Sequence, residues 1–221
     1  MTETVTSTPA RNYIGGDWRD SADGATYEKH DPWRPSVVTG VYPASDADDA
    51  RAAIEAARAA FPAWSAMPAP QRASFFTKAA AAIEARAEQV ARDMTAEMGK
   101  PLREARMETL RAAQILRYAA GEAWRPIGEL YEPSVADQRL FTLRRPVGVV
   151  GLITPWNFPI AIPVWKLAPA LIYGNTLVLK LGYEAPRTGL HVAECFAEAG
   201  LPPGVLNVLT GAGSKLSLIH I

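Results

Sequence analysis

Arg145 to Lys166 reads RPVGVVGLITPWNFPIAIPVWK, and the twenty residues between its two end cations carry no charge. An uncharged run of that length is first of all a candidate membrane span. Its content excludes that reading. Pro146, Pro155, Pro159 and Pro163 each lack a backbone donor, and the amide of Asn157 would sit unsatisfied near the bilayer centre. A parse into three pieces fits better. Val147 to Ile153 is an apolar run of strand length, the pattern of a strand buried on both faces. Thr154 to Pro159 is a stiff, proline-flanked turn, and from about Ile160 the chain resumes as a buried helix. A polar amide, Asn157, therefore stands at the carboxyl end of a buried strand, where open α/β sheets bind ligands.

Downstream the same rhythm repeats. A helical segment through Leu167, Ala170 and Leu171 turns at Gly174-Asn175 into a short apolar strand, Thr176 to Lys180. Pro186 opens a helix to Gly200, Pro202-Pro203-Gly204 turns again, and Val205 to Leu209 is a third strand. Turns this short between such segments imply βαβ units and a parallel sheet. The fold class is α/β, with an incomplete Rossmann-type parallel sheet over 146–215. Cut after three strands, the sheet is expected to leave Val205 to Leu209 as an unpaired apolar edge, prone to aggregation.

Upstream, residues 12–145 read as a helical layer with small strands. Gly15-Gly16 within Asn12 to Trp18 is a hairpin signal, and Tyr27 to Asp31 and Val37 to Tyr42 are further short strands around Pro32 to Pro35. Ser45 is the expected cap of a first helix, with Asp46, Asp48 and Asp49 in its first turn and a stripe of Ala50, Ile54, Ala57, Phe61 and Trp64. A second helix is expected from about Gln71 to Gly99, striped by Phe76, Ala80, Ile83, Ala87, Val90 and Met94. A third, opening at Pro101, carries Leu110, Ala113, Leu116, Ala120 and Trp124. Polar faces of mixed sign suit a packed antiparallel layer better than a membrane-surface or partner-binding role. Glu129 to Arg145 contains an alternating strand with no dry face. It either crosses between subunits, near 138–145, or is an ordinary edge strand defended by arginines.

Composition narrows the function. Lys plus Arg and Asp plus Glu both total 23, so nothing recruits nucleic acid or an acidic membrane electrostatically. The single cysteine cannot form an internal disulfide, no Cys/His cluster has metal spacing, and a cytoplasmic location is expected. The first residues, 1–11, lack the pattern of a signal peptide and read as a disordered terminus. No G-x-G-x-x-G follows the first strand, and Gly211-Ala212-Gly213 after the third is only a weak glycine pair. Asn157, Lys180 and that pair lie at the carboxyl edge of one sheet, where a lysine can meet ribose hydroxyls or phosphate or simply face solvent.

Those residues resemble a known family. Ile153-Thr154-Pro155-Trp156-Asn157-Phe158-Pro159, then Trp165-Lys166 and Leu167-Ala168-Pro169-Ala170-Leu171, then Gly174-Asn175-Thr176 and Lys180, are similar to the aldehyde dehydrogenase superfamily. Gly15-Gly16-Asp17-Trp18, Glu97-Met98-Gly99-Lys100-Pro101, Arg144 to Gly148 and Ala199 to Asn207 fit the same pattern, over about residues 12 to 215. The resemblance implies oxidation of a small-molecule aldehyde to a carboxylic acid with NAD or NADP. In it a cysteine thiolate attacks the aldehyde, hydride passes to nicotinamide, and a glutamate assists hydrolysis of the thioester. Asn157 matches the asparagine whose amide helps form the oxyanion hole. Lys166 matches a lysine linked to proton relay, and beside Trp165 it reads equally as structural. Lys180 matches the adenosine-ribose lysine. Ile153, Thr154, Pro155 and Trp156 match positions touching the cofactor, and Gly213 matches a glycine near the adenosine. A homodimer or homotetramer is implied. The Ile160-Ala161-Ile162-Pro163 context and the Glu104 to Tyr118 helix point, by analogy, to a semialdehyde.

Two departures matter. Family members usually read Lys-Pro-Ser/Ala-Glu after the second strand, whereas this chain reads Lys180-Leu181-Gly182-Tyr183-Glu184. Tyr183 therefore takes the slot of the glutamate that selects NAD, with Glu184 one place on as a compensating acid. The only cysteine, Cys195, lies mid-helix in a setting unlike the family's nucleophile, so thiolate, hydrolytic glutamate and catalytic domain are expected beyond residue 221. Residues 216–221 read as a non-native tail, with no role for His220. The chain alone is then expected to lack turnover. The alternatives are a reductive acyl-CoA or semialdehyde enzyme of the same superfamily, and a catalytically dead NAD(P)-binding or interaction module.

Overall fold

A computed structural model describes residues 10–216. The disordered start expected over 1–11 falls, except for its last two residues, outside the described part, and so does the tail beyond Leu216 with His220. A hairpin opens the fold, β1 (Asn12–Ile14) and β2 (Asp17–Arg19), turning through Gly15 and Gly16 at φ 64° and 91°. A second hairpin pairs β3 (Thr26–His30) with β4 (Val38–Pro43). Four helices follow: α1 (Ala47–Ala66), α2 (Ala69–Ala85), α3 (Ala87–Met98) and α4 (Leu102–Gly121). A two-rung ladder of β5 (Leu130–Tyr131) with β6 (Leu140–Phe141) leads into β7 (Val149–Ile153), α5 (Ala161–Ile172), β8 (Thr176–Lys180), α6 (Pro186–Glu198) and β9 (Leu206–Leu209).

The main sheet runs β2-β1-β9-β8-β7, with β7, β8 and β9 parallel and the hairpin antiparallel at the far side. The three parallel strands are those expected over 146–215. One expectation is corrected: the added hairpin means β9 is no free edge, since Tyr13 pairs with Val208 and all four residues of β9 are buried. The junction is pinned by two amides. Asn207 accepts from the Gly15 N–H at 2.8 Å and donates to the carbonyls of Leu177 and Gly204. Asn12 accepts from Thr210 N–H and donates to Ser45 Oγ at 2.7 Å. Because β8 and β9 add successively on one side of β7, β7 itself is the edge among the described residues. The run expected to be dry on both faces is therefore part-exposed, with Val147 85% exposed and Ile153 49%.

The helical layer differs from its pattern in three places. Asp46, not Ser45, caps α1, accepting from the N–H groups of Asp48 and Asp49 while Asp49 reaches back to the Asp46 N–H. Ser45 is occupied by Asn12. The long second helix breaks at Arg86, which also pairs with Glu194 and Glu198 of α6. Its stripe ran on without interruption because α2 and α3 both rest on α4 and α6. In α4 the buried residues are Ala105, Glu108, Thr109, Ala112, Ala113, Ile115, Leu116 and Ala119, so Ala113 and Leu116 of the expected stripe are buried, while Leu110, and Trp124 in the turn beyond the helix, are exposed. Arg72 joins the layers, donating to Ile172 O at 3.0 Å and to the last carbonyls of α1.

The strand expected near 138–145 is one side of a projecting arm. Beyond the β5–β6 rungs, Thr142 N–H donates to Glu129 O and Arg144 N–H to Ile127 O. Leu130, Tyr131, Leu140, Phe141 and Leu143 are all exposed on it.

Candidate active site

The carboxyl ends of the parallel strands bring Ile153, Lys180 and Leu209 into register. Thr154 leaves β7 buried, its N–H and hydroxyl both directed at the Lys180 carbonyl, at 3.1 and 3.3 Å. The turn above is seated on Gly182: a Cβ there would lie 2.9 Å from the Pro155 carbonyl carbon and oxygen and from Trp156 N. Only a glycine lets the two strand ends approach this closely. Asn157 then emerges exposed, and among the described residues its side-chain amide has no partner.

The backbone of Asn157 is held from the helical layer. Glu108, buried on α4, accepts from the first N–H groups of α5, Ile160 at 3.2 Å and Ala161 at 3.1 Å, a helix start with no side-chain cap of its own. Its other oxygen pairs with Lys100, and the two side chains are 3% and 10% exposed. Lys100 Nζ also donates to the Asn157 carbonyl at 2.7 Å and lies 4.2 Å from the centre of the Phe158 ring. Sequence reasoning missed this clamp. Its signal was Glu108 itself, an acid on the apolar face between Ala105 and Ala112.

Asn157 opens onto a groove of about 750 Å³ between α4 and α5, lined by Lys100, Glu104, Met107, Leu110, Arg111, Gln114, Phe158 and Trp165. Lys166 is exposed on α5 but does not line this groove.

On the other side of the turn, Lys180 is half-buried, and burial pushes its ammonium pKa down. Among the described residues its ammonium has no hydrogen-bond or acidic partner, and burial is the one cause of its shift. An unmatched, partly desolvated cation at a sheet's carboxyl edge fits the ribose hydroxyls or phosphate of a dinucleotide. Trp156 is half-exposed, beside Lys29 and Glu184 in a shared cleft, and Gly213 is an open glycine in the loop after β9. Tyr183 stacks on Tyr27 at 4.4 Å and 16°, with Lys29 Nζ 5.6 Å from its ring centre. Lys29 is ion-paired with Glu184, so the acid one place on is already engaged.

Cys195 is fully buried in α6, and burial pushes its thiol up to about 12, so it supplies no thiolate near neutrality. Among the described residues no group of three His, Cys, Asp or Glu could hold a metal, and no helix is long and apolar enough to cross a membrane.

Comparison with known proteins places this geometry. The model of the aldehyde dehydrogenase family matches residues 18–218. An alpha-ketoglutaric semialdehyde dehydrogenase of Bacillus subtilis (strain 168) is 44% identical over 203 residues, covering 92% of this chain and 42% of that protein. An NADP(+) succinate-semialdehyde dehydrogenase of Escherichia coli (strain K12) is 40% identical, with 92% and 42% covered. The crystal structure of betaine aldehyde dehydrogenase from Staphylococcus aureus in complex with NAD+ superposes with a TM-score of 0.90 at 35% identity, covering 94% of this chain and 41% of that one. The chain thus spans about two fifths of the length of the curated relatives it matches.

Proposed function

Since the chain belongs to the aldehyde dehydrogenase family, we propose that it supplies the oxyanion and cofactor half of an NAD(P)-dependent aldehyde dehydrogenase. The carrying observation is Asn157, which lines the α4–α5 groove on a clamped backbone and whose side-chain amide has no partner among the described residues. A donor fixed before reaction stabilises developing negative charge on an aldehyde oxygen without reorganising. Lys180, at a strand end bonded to Thr154, is assigned the adenosine side of a dinucleotide, with Ile153, Thr154, Pro155, Trp156 and Gly213 as further cofactor contacts. When bound, NAD or NADP would accept the hydride.

The attacking thiolate and hydrolytic base are assigned to sequence outside these 221 residues; the burial and raised pKa of Cys195 support this. Lys166, exposed and off the groove, is assigned at most a remote role in proton transfer. The substrate is a semialdehyde, a reading supported by the relatives' names. The exposed apolar arm around Leu130 and Phe141 supports assembly as a homodimer or homotetramer. We infer a cytoplasmic location from a sequence whose single cysteine cannot form an internal disulfide.

The test uses the complete coding sequence containing this chain, following NAD(P)H formation from semialdehydes. Asn157→Ala should lower kcat by about 10²- to 10³-fold, with dinucleotide binding retained. Cys195→Ala should leave kcat unchanged, and a complete enzyme that loses activity with Cys195→Ala would overturn the assignment.

A further inference from the structure

The groove that receives Asn157 carries a second recognition element. We propose that Arg111, assisted by Gln114, binds the far-end carboxylate of the substrate, making the site selective for ω-semialdehydes of short dicarboxylic acids, 2-oxo acids included. This rests on the reading of the groove as an aldehyde site.

The charges of the groove carry the argument. Lys100 is neutralised by Glu108 and spent on the Asn157 carbonyl. Arg111 is different. It is exposed in the groove, among Met107, Leu110 and Trp165, and no acidic partner approaches it among the described residues. Its one side-chain contact is a long 3.4 Å bond to Gln114 Oε1. Glu104, the acid on the same wall, lies two turns back, about 10.5 Å along the helix axis. Arg111 follows Glu108 by one turn, about 4.5 Å along α4, so the guanidinium stands beyond the clamped Asn157 turn, toward the Trp165 end of the groove.

That order, amide donor, apolar walls, then guanidinium, matches a short chain with an aldehyde at one end and an anion at the other. A guanidinium binds carboxylate in a bidentate fork, and apolar walls around it strengthen the pair relative to open water. Gln114 offers its carbonyl oxygen to Arg111, which leaves its NH₂ free to donate to a 2-oxo oxygen beside that carboxylate.

The experiment compares 2,5-dioxopentanoate with pentanal, a neutral aldehyde of equal carbon number, on the complete enzyme. Arg111→Met keeps the apolar stem and removes the charge. It should lower the ratio of kcat/KM values, charged over neutral, by about 10- to 100-fold, mainly through KM for the charged aldehyde. Arg111→Lys should restore part of that ratio, and 2-oxoglutarate should inhibit the parent enzyme competitively but not Arg111→Met. An unchanged ratio in Arg111→Met overturns the proposal. A parent enzyme that oxidises neither aldehyde would instead overturn the assignment of the groove as an aldehyde site, and this inference with it.

Discussion

Lys100, at the junction before α4, donates to the backbone carbonyl of Asn157 across 2.7 Å while pairing with buried Glu108. One cation thereby ties the helical layer to the turn that carries the proposed oxyanion donor, and one carboxylate starts α5.

Removing either member leaves the other's charge buried without its counter-ion, its remaining hydrogen bonds being to neutral backbone groups. Lys100→Met should destabilise the fold by about 3 to 5 kcal/mol, read from denaturant unfolding. The double variant with Glu108→Gln should lose much less than the sum of the two single losses, because the uncompensated charge is gone. Additive losses would show that the pair is not coupled.

In the proposed cofactor site Tyr183 takes the slot of the ribose-binding glutamate, and the neighbouring Glu184 is engaged by Lys29. Tyr183→Glu would put a carboxylate in that slot, able to accept from a 2′-hydroxyl and repelling a 2′-phosphate. The expected result is a fall of at least about tenfold in NADP over NAD preference, measured as kcat/KM for each cofactor.

Glu97, at the end of α3, is buried and accepts from Arg187 N–H, Thr188 N–H and the Thr188 hydroxyl. Burial pushes it up to about 7 against those donors and Lys29, from an ordinary value of 4.5. The folded state therefore keeps this proton when the unfolded chain has lost it. Its stabilising effect is complete below about 4.5 and disappears as pH rises to about 7. Glu97→Gln should flatten the decline of Tm across that window; an unchanged slope would remove Glu97 as its source.

The arm exposes Leu130 and Phe141 on opposite strands of a paired rung, Leu130 facing Phe141 in register. Phe141→Glu should shift the complete protein toward lower mass in analytical ultracentrifugation. Unchanged mass would place the subunit contact elsewhere.

The strand-turn-helix parse of Val147 to Lys166 was legible because prolines and an uncharged run are local signals. The first hairpin was equally legible from Gly15-Gly16. What failed was non-local. Nothing within Val205 to Leu209 says that Tyr13, nearly two hundred residues earlier, closes its free side. Apolarity cannot distinguish a central strand from an edge, so β7 looked drier than it is. The break at Arg86 was hidden because a kinked pair of helices on one surface keeps one continuous stripe. At the site, Asn157 and Lys180 stood out as polar residues at strand ends. Lys100 and Glu108 did not, since their purpose depends on α5 coming back to meet α4.

Gly182 under Pro155 has an evolutionary consequence. A Ser or Ala in that slot cannot simply be exchanged into this chain, because its Cβ would collide with the Pro155 carbonyl 2.9 Å away. The turn bearing Asn157 would first have to rise, or Leu181 and its neighbours to move together with it. The two strand ends are thus epistatic: mutational routes that rewrite the proposed cofactor-facing segment must pass through the turn that holds Asn157. Cofactor preference and catalytic geometry are therefore expected to drift as one unit.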